Sequence, residues 1–142
     1  MKTNLKRIGF AILSFILLIV FDQWTKSLAV AHLMNKEPFI IIDSVFQLRY
    51  LENRGAAFGM MQGQQTFFLI TGIIAVIVLA YVYFELPWKK RFLPLRAVAL
   101  FIASGAVGNM IDRVVLGYVV DFFYFELIDF PIFNVADIYV TC

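Results

Sequence analysis

The sequence predicts an integral membrane protein that folds as one compact bundle, with a short β-rich element on one membrane surface. Hydrophobic residues make up 62% of the 142 residues, charged residues make up 15%, and the mean hydropathy is +0.85. A soluble domain of this size would need far more polar surface. Several apolar runs approach the length that a bilayer requires, and the charges fall mostly between those runs.

The first helix is predicted to begin in the apolar run of residues 8–21. That run alone is short for a bilayer, which requires about 20 residues, but a helix that continues to about Leu33 would span easily. A cleaved signal peptide is the alternative, because basic residues precede the run and residues 29–31 imitate a cleavage site. This site lies well beyond the apolar run, with Asp22 and Lys26 in between, which favours a retained helix.

The segment of residues 34–65 has a mixed composition. Its β-branched and aromatic residues predict a short β-rich element, and the turn-forming residues Asn53, Gly55 and Gly59 follow. We expect sharp turns at the two glycines, because glycine adopts positive φ angles at little cost.

Two further spanning helices are expected in the middle of the chain. Residues 66–84 form the clearest apolar run, and residues 93–111 form another that is rich in small residues. Small residues let helix backbones approach closely in lipid. Residues 117–133 then predict a loop, and residues 138–142 resemble the first turns of a fourth helix that stops too soon to span.

The charges of the connecting segments predict the topology. The N-terminus is basic without an acid, and residues 85–96 carry four basic residues against one acid. Residues 112–133 carry one basic residue and four acids. The positive-inside rule therefore places the N-terminus and residues 85–96 in the cytoplasm and the acidic segments outside. The net charge of +2 is too small and too dispersed to indicate nucleic-acid binding.

Six acidic residues compete for a role on the predicted outer side: Asp22, Asp43, Glu52, Asp112, Asp121 and Asp137. A carboxylate at the membrane boundary is costly to bury and is a functional candidate for that reason. Asp121 and Asp137 follow apolar or small residues and have no basic neighbour in the sequence, which predicts a raised pKa.

If the third and fourth helices lie antiparallel, Asp121 and Asp137 face each other at one depth. Two carboxylates that share a proton can hold a water molecule for attack on a peptide carbonyl. A proton relay in a transporter is the rival interpretation, and a purely structural assembly subunit is a third.

The other polar residues can be explained by structural contacts as well. Asp22 and Lys26, like Asn109 and Arg113, are four positions apart on one helix face, which is compatible with simple contacts between or along helices. The single histidine excludes a histidine metal cluster, and the single cysteine excludes an internal disulfide. We therefore predict no metal site.

Five ordered motifs resemble the lipoprotein signal peptidase family, also called signal peptidase II. They are Asp22-Gln23-Trp24-Thr25-Lys26, Asn53-Arg54-Gly55-Ala56-Ala57-Phe58-Gly59, Gly108-Asn109-Met110-Ile111-Asp112-Arg113, Gly117-Tyr118-Val119-Val120-Asp121-Phe122 and Phe133-Asn134-Val135-Ala136-Asp137. The match covers essentially the whole chain.

The resemblance implies an all-α integral membrane fold, in which a four-transmembrane-helix bundle carries a small β cradle on the outer surface. By this resemblance, the fourth helix is truncated at Cys142. Residues 1–142 would form a single membrane-embedded aspartyl protease domain. The expected location is the bacterial cytoplasmic (inner) membrane, with several spans and the active site toward the outer face.

The resemblance also implies the chemistry and the site. Asp121 and Asp137 take the positions of the catalytic dyad, and the supporting or substrate-binding positions fall on Asp22, Lys26, Asn53, Gly55, Asn109, Arg113 and Asn134. The family removes the signal peptide of diacylglyceryl-modified prolipoproteins, cutting before the lipidated cysteine, by general acid–base catalysis. It needs no cofactor. The expected partners are these substrates and membrane lipid, without nucleic acid, and the chain is expected to be a monomer.

Overall fold

The computed structural model of the chain describes residues 2–56 and 60–141. Within these residues the chain is mostly helical with one small sheet. The elements are α1 (Lys2–Leu33), β1 (Phe39–Ile42), β2 (Phe46–Asn53), α2 (Gln65–Glu85), α3 (Leu93–Leu116), β3 (Val119–Phe125) and α4 (Val135–Thr141). Gly59 and Cys142, for which the sequence raised expectations, lie outside the described residues.

Helix α1 runs without interruption from the apolar run through the polar motif at Asp22, so the predicted extension to Leu33 is confirmed. Its 32 residues correspond to about 48 Å at 1.5 Å per residue. Phe10, Leu13 and Leu17 are each more than half exposed on its surface. Such a surface is stable against lipid and unfavourable against water.

Length and composition identify two candidate membrane spans in the described part of the chain, Gln65–Glu85 and Lys90–Leu116. Helix α2 exposes Ile73, Ile74 and Ile77 by more than half, as expected of a surface that faces lipid. Helix α3 lies at the centre of the molecule, because α1, α2 and α4 all pack against it.

Small residues on α3 permit these close contacts, as the sequence predicted. A side chain at Gly105 would collide with the carbonyl oxygen of Ala136 in α4, and one at Gly108 would lie 2.5 Å from the carboxylate of Asp22 in α1. Helix α3 ends at Leu116 and is capped by Gly117, whose φ of +80° is left-handed and whose N–H donates to the carbonyl of Arg113.

The sheet has the order β1-β2-β3, with both pairs antiparallel. The prediction of a loop across residues 117–133 was therefore wrong in part, because Val119–Phe125 forms β3. The β-branched and aromatic residues of β3 pair with β2, which comes much earlier in the chain, and local sequence does not reveal that partner. Val120 and Phe122 pack against α1 and α4 in the apolar core beneath the sheet.

Helix α4 spans seven residues in the described part of the chain, or roughly 10 Å. That length does not cross a bilayer. The expected bundle of four transmembrane helices is therefore not observed in the described residues, although a small β element is present as expected.

Candidate active site

Asp121 lies in the middle of β3, opposite Leu51 of β2, and is 1% exposed. Its two carboxylate oxygens accept hydrogen bonds from two asparagine side chains. Asn53, at the end of β2, donates its Nδ2 to Oδ2 at 3.0 Å, and Asn134 donates its Nδ2 to Oδ1 at 2.7 Å. The strand pairing thus holds Asp121 within hydrogen-bond distance of two neutral side-chain amides.

Asp137 lies in the first turn of α4, where a reciprocal cap fixes it. The N–H of Asp137 donates to Oδ1 of Asn134 at 3.0 Å, and the N–H of Asn134 donates to Oδ2 of Asp137 at 3.1 Å. This is the geometry of a capping box, which the spacing of three residues allows. The other oxygen, Oδ1 of Asp137, accepts a hydrogen bond from Nδ2 of Asn109 at 2.9 Å.

Asn134 therefore contacts both acids, one through its side chain and the other through its cap. The expected proximity of Asp121 and Asp137 is present and α3 packs against α4, but the prediction omitted the strand that carries Asp121. A strand, and not the packing of the third and fourth helices alone, carries Asp121 to Asp137. We refer to Asp121 and Asp137 as the dyad.

The environment of Asp121 raises its pKa to about 7, from an ordinary value of 3.8. Burial is the largest cause, and the neighbouring charge of Asp137 is the second. The hydrogen bonds from Asn53 and Asn134 and the charge of Lys26 act in the opposite direction. The raised pKa predicted from the apolar sequence around Asp121 is confirmed.

A second acidic group lies beside the dyad, and a lysine neutralises part of its charge. Nζ of Lys26 lies 2.9 Å from Oδ2 of Asp22 and 3.1 Å from Oδ2 of Asp112, and all three side chains are almost fully buried. The predicted contact between Asp22 and Lys26 is confirmed. We name Asp22, Gln23, Lys26 and Asp112 the frame cluster.

The frame cluster holds the backbone directly before each acid of the dyad. Oδ1 of Asp22 accepts a hydrogen bond from the N–H of Ala136 at 2.9 Å, and Ala136 directly precedes Asp137. Oδ2 of Asp112 accepts one from the N–H of Val120 at 3.0 Å, and Val120 precedes Asp121. The two carboxylates thus fix the start of α4 and the first residues of β3.

Gln23 is a member of the frame cluster that sequence reasoning missed. Its Nε2 donates to Oδ1 of Asp112 at 2.9 Å and to the carbonyl of Gly108 at 3.1 Å, which ties α1 to α3. Its position beside Asp22 was the available signal. Asp112 was among the six outward acids, but its contact with the amide of Val120 is not visible in the sequence.

Asn109 connects the frame cluster to the dyad. Its Oδ1 accepts hydrogen bonds from Nζ of Lys26 at 3.0 Å and from Nδ2 of Asn134 at 3.1 Å. With its oxygen occupied by two donors, its Nδ2 is left to donate to Asp137. One orientation of the Asn109 amide satisfies all three contacts.

Arg113 supplies positive charge at the edge of the site. Its Nη1 bonds the carbonyl of Asn109 at 3.4 Å and its Nη2 bonds the carbonyl of Gly55 at 3.5 Å, while the guanidinium lies over the ring of Phe68. The predicted contact between Asn109 and Arg113 is thus made through the backbone. Among the residues that the structure describes, none provides a hydrogen-bond partner for the buried Nε of Arg113.

Gly55 is needed for space and not for a positive φ, which corrects the expectation from sequence. A Cβ atom there would collide with the carbonyl oxygen of Met60 and crowd Gln62. Its N–H donates to Oδ1 of Asn53 at 3.0 Å. That bond fixes the amide of Asn53 so that its Nδ2 points to Asp121.

A cavity of about 230 Å³ opens beside the dyad. Asn53, Gly55, Asn109, Arg113, Asp121 and Asp137 line its polar side, and Val119, Phe130, Ile132, Phe133 and Val140 are among its apolar lining residues. In the described part of the chain, no three His, Cys, Asp or Glu side chains are placed to hold a metal ion. The arrangement can hold a water molecule between two carboxylates and an apolar group beside them.

Residues 14–142 match the family described as signal peptidase (SPase) II. Curated relatives named lipoprotein signal peptidase include one from Streptococcus thermophilus, 46% identical over 87% of this chain and 80% of its own length. Another, from Caldanaerobacter subterraneus subsp. tengcongensis, is 44% identical over 92% of this chain and 88% of its own length.

Solved structures of bacterial membrane enzymes share the fold. One superimposes with a TM-score of 0.84 and 36% identity over 94% of this chain and 82% of its own. A second has a TM-score of 0.81, again with 36% identity, over 94% of this chain and 86% of its own. The chain belongs to the signal peptidase II family.

Proposed function

We propose that the chain is a membrane aspartyl endopeptidase that removes the signal peptide from diacylglyceryl-modified prolipoproteins, cutting before the lipidated cysteine. Family membership supports a protease that acts on prolipoproteins. The aspartyl assignment is supported by the hydrogen bonds of Asn134 to both Asp121 and Asp137, which hold the two acids at one cavity. We treat residues 1–142 as one catalytic domain, because α1, α3, α4 and the sheet all contribute to this site.

The two acids have different surroundings, which suggests different roles. Asp121 is buried and has a pKa of about 7, so it carries the shared proton at rest. Asp137 lies half-buried in the first turn of α4, where two N–H donors stabilise a negative charge. Asp137 is therefore the general base, and Asp121 is the general acid.

The reaction follows from these protonation states. Asp137 takes a proton from a water molecule, the oxygen of that water attacks the scissile carbonyl, and Asp121 gives its proton to the carbonyl oxygen. When the tetrahedral intermediate collapses, the proton gained by Asp137 passes to the leaving amine and Asp121 regains its own. The dyad then returns to its starting state, without a metal or an organic cofactor.

Arg113 and the asparagines stabilise the charges of this cycle. The guanidinium of Arg113 lies at the cavity, and its partly buried position strengthens its attraction to the negative charge of the dyad. Asn53, Asn109 and Asn134 are already hydrogen-bonded in the required orientation. Preorganised donors of this kind need no rearrangement during the reaction.

We further propose that the site lies at the outer face of a bacterial membrane, in a protein that crosses the membrane several times. The acidic segment of residues 112–133 and the basic segment of residues 85–96 support this orientation. Phe130, Ile132 and Phe133 offer an apolar surface to the lipid of the substrate. Because one chain supplies both acids, we propose a monomer.

The experiment that tests the function is incubation of the purified protein with a diacylglyceryl-modified prolipoprotein. We expect release of the signal peptide, and no release from the same prolipoprotein without its lipid. Failure to cut the lipidated substrate by a folded protein would contradict the proposal. The transporter alternative gains no support from the family or from the structure.

A separate experiment tests the orientation. In a Cys142→Ser background, we expect a cysteine at the exposed position Asp43 to react with a membrane-impermeant thiol reagent in intact cells. A cysteine at Lys90 should react only after permeabilisation. The reverse pattern would contradict the proposed topology and leave the chemistry of the dyad untouched.

A further inference from the structure

A groove runs between α1 and α2 over the surface of α3, at the opposite end of α3 from the dyad. It consists of two adjoining cavities of about 570 Å³ and about 270 Å³, which share Ala11, Tyr83 and Leu100. The smaller cavity has an almost entirely apolar lining that includes Ala80. Arg96, in the larger cavity, lies sixteen residues from Asp112 along α3, or about 24 Å.

The larger cavity is strongly basic. Five cationic side chains line it, namely Lys6, Arg7, Lys89, Lys90 and Arg96, and no acidic side chain of the described residues does. Lys6, Arg7, Lys89 and Lys90 are exposed. These positive charges, from α1 and from the segment before α3, surround the same cavity. Such a concentration of positive charge favours the binding of an anion.

Arg96 and Trp88 pack against each other in the lining of this cavity. Arg96 is 3% exposed, donates to the carbonyl oxygens of Tyr83 and Leu86, and lies 3.5 Å from the centre of the Trp88 ring. The guanidinium of Arg7 lies 5.6 Å from the same ring centre. Both guanidinium groups are thus within cation–π distance of Trp88, and tryptophan is a residue type enriched at membrane interfaces.

We propose that this groove binds one anionic phospholipid of the inner leaflet. Its phosphate would lie among Lys6, Arg7, Lys89 and Lys90, and an acyl chain would lie in the apolar cavity beside Ala80. A basic mouth that continues into an apolar channel complements a lipid and does not complement free phosphate, which has no apolar part. Basic pockets between helices on the cytoplasmic side bind anionic headgroups for the same reason.

The two tryptophans of the chain make the proposal measurable. Trp88 lines the groove, whereas Trp24 is exposed on α1 near the frame cluster. A Trp24→Phe background leaves Trp88 as the single tryptophan. Two probes are compared, brominated phosphatidylglycerol and brominated phosphatidylcholine, each carrying bromine near the carbonyl end of its acyl chains. Each probe is added at the same small fraction to vesicles of unbrominated phosphatidylcholine.

We expect brominated phosphatidylglycerol to quench Trp88 fluorescence at lower fractions than brominated phosphatidylcholine. Changing Lys6, Arg7, Lys89 and Lys90 to Gln should abolish the preference, each charge contributing up to about fivefold in apparent affinity. Lys36→Gln, an exposed lysine elsewhere, is the control and should preserve the preference.

A second pair of variants tests the acyl chain without changing any charge. Ala80→Phe fills the apolar cavity, while Val78→Phe enlarges an exposed position of α2 that does not line it. We expect Ala80→Phe to weaken quenching by the anionic lipid and Val78→Phe to leave it unchanged.

Three results would overturn the proposal: equal quenching by the two lipids, a preference for the anionic lipid that survives loss of the four charges, or no quenching by either lipid. The last result would mean that protein covers the groove.

Discussion

The dyad and the frame cluster each contain two acids, which lie in one small region of the molecule but have different hydrogen-bond and ion-pair partners. Lys26 bridges Asp22 and Asp112 at 2.9 Å and 3.1 Å. The carboxylates of Asp121 and Asp137 receive hydrogen bonds from neutral amides instead. A pair of acids bridged by a buried lysine is suited to hold structure, and a pair held by neutral amides is suited to move a proton.

The two pairs are also connected in a defined order. Each acid of the frame cluster accepts the N–H of the residue before one acid of the dyad. Asp22 and Asp112, which Lys26 bridges, therefore fix the backbone next to Asp137 and Asp121. This division predicts that changes in the frame cluster act mainly on folding, whereas changes in the dyad act mainly on turnover.

The largest expected effect is on turnover, in the dyad. Asp121→Asn and Asp137→Asn keep the shape but remove the shared proton, so each should lower kcat by about a thousandfold or more. The double variant should lose little beyond that, because the two act as a unit. Signal-peptide release from a lipidated substrate measures the loss. Asp43→Asn, at an exposed position, is the matched control and should be nearly silent.

The next effect is on stability, in the frame cluster. Lys26→Met leaves Asp22 and Asp112 buried together without their cation. Breaking a buried ion pair in this way costs about 3–5 kcal/mol of unfolding free energy. Thermal unfolding in detergent measures it, with Lys36→Met as an exposed control. A Lys26→Met protein as stable as its parent would show that the frame cluster does not hold the fold.

Asp121 is expected to destabilise the protein at neutral pH. Its pKa is about 7 in the folded chain and near 3.8 in the unfolded chain, so the folded state holds its proton more tightly. Stability therefore falls as pH rises from about 4 to about 7, by at most about 4 kcal/mol. Asp121→Asn should remove this fall, and the variant should be more stable than its parent at pH 8. Equal pH dependence of the melting temperatures would contradict this.

The smallest effect is expected in the loop that supports Asn53. Gly55→Ala places a Cβ against the carbonyl of Met60, which we expect to destabilise the loop by about 1–3 kcal/mol and to reduce cleavage more than membrane insertion. Gly9→Ala on α1 is the control, because no atom of the described residues lies within 4 Å of a Cβ placed at that position. Unchanged cleavage by an inserted Gly55→Ala protein would mean that this loop is merely connective.

Features that depend on local spacing were predictable from the sequence. The long first helix, the contact of Asp22 with Lys26 and the small residues of α3 all follow from helical periodicity. The raised pKa of Asp121 follows from its apolar neighbours. The resemblance of the five motifs located the dyad and its supporting asparagines.

Features that depend on distant partners were not predictable. Strand β3 exists because β2, more than sixty residues earlier, pairs with it. Gln23 reaches Asp112 across 89 positions, and the amide of Ala136 reaches Asp22 across 114. The lack of space for a side chain at Gly55 is caused by the carbonyl of Met60 in the folded loop. Each of these contacts is created by packing, which leaves no periodic signal in the sequence.

The central claim, that Asp121 supplies a proton while Asp137 accepts one, is tested most directly by the pH dependence of kcat/KM for release of the signal peptide. Because the pKa of Asp121 is about 7, we expect kcat/KM to fall about tenfold per pH unit above pH 7, with the protein still folded. Circular dichroism across the same range provides the control for folding. A value of kcat/KM that stays constant or rises up to pH 9 would contradict the assignment of Asp121 as the acid.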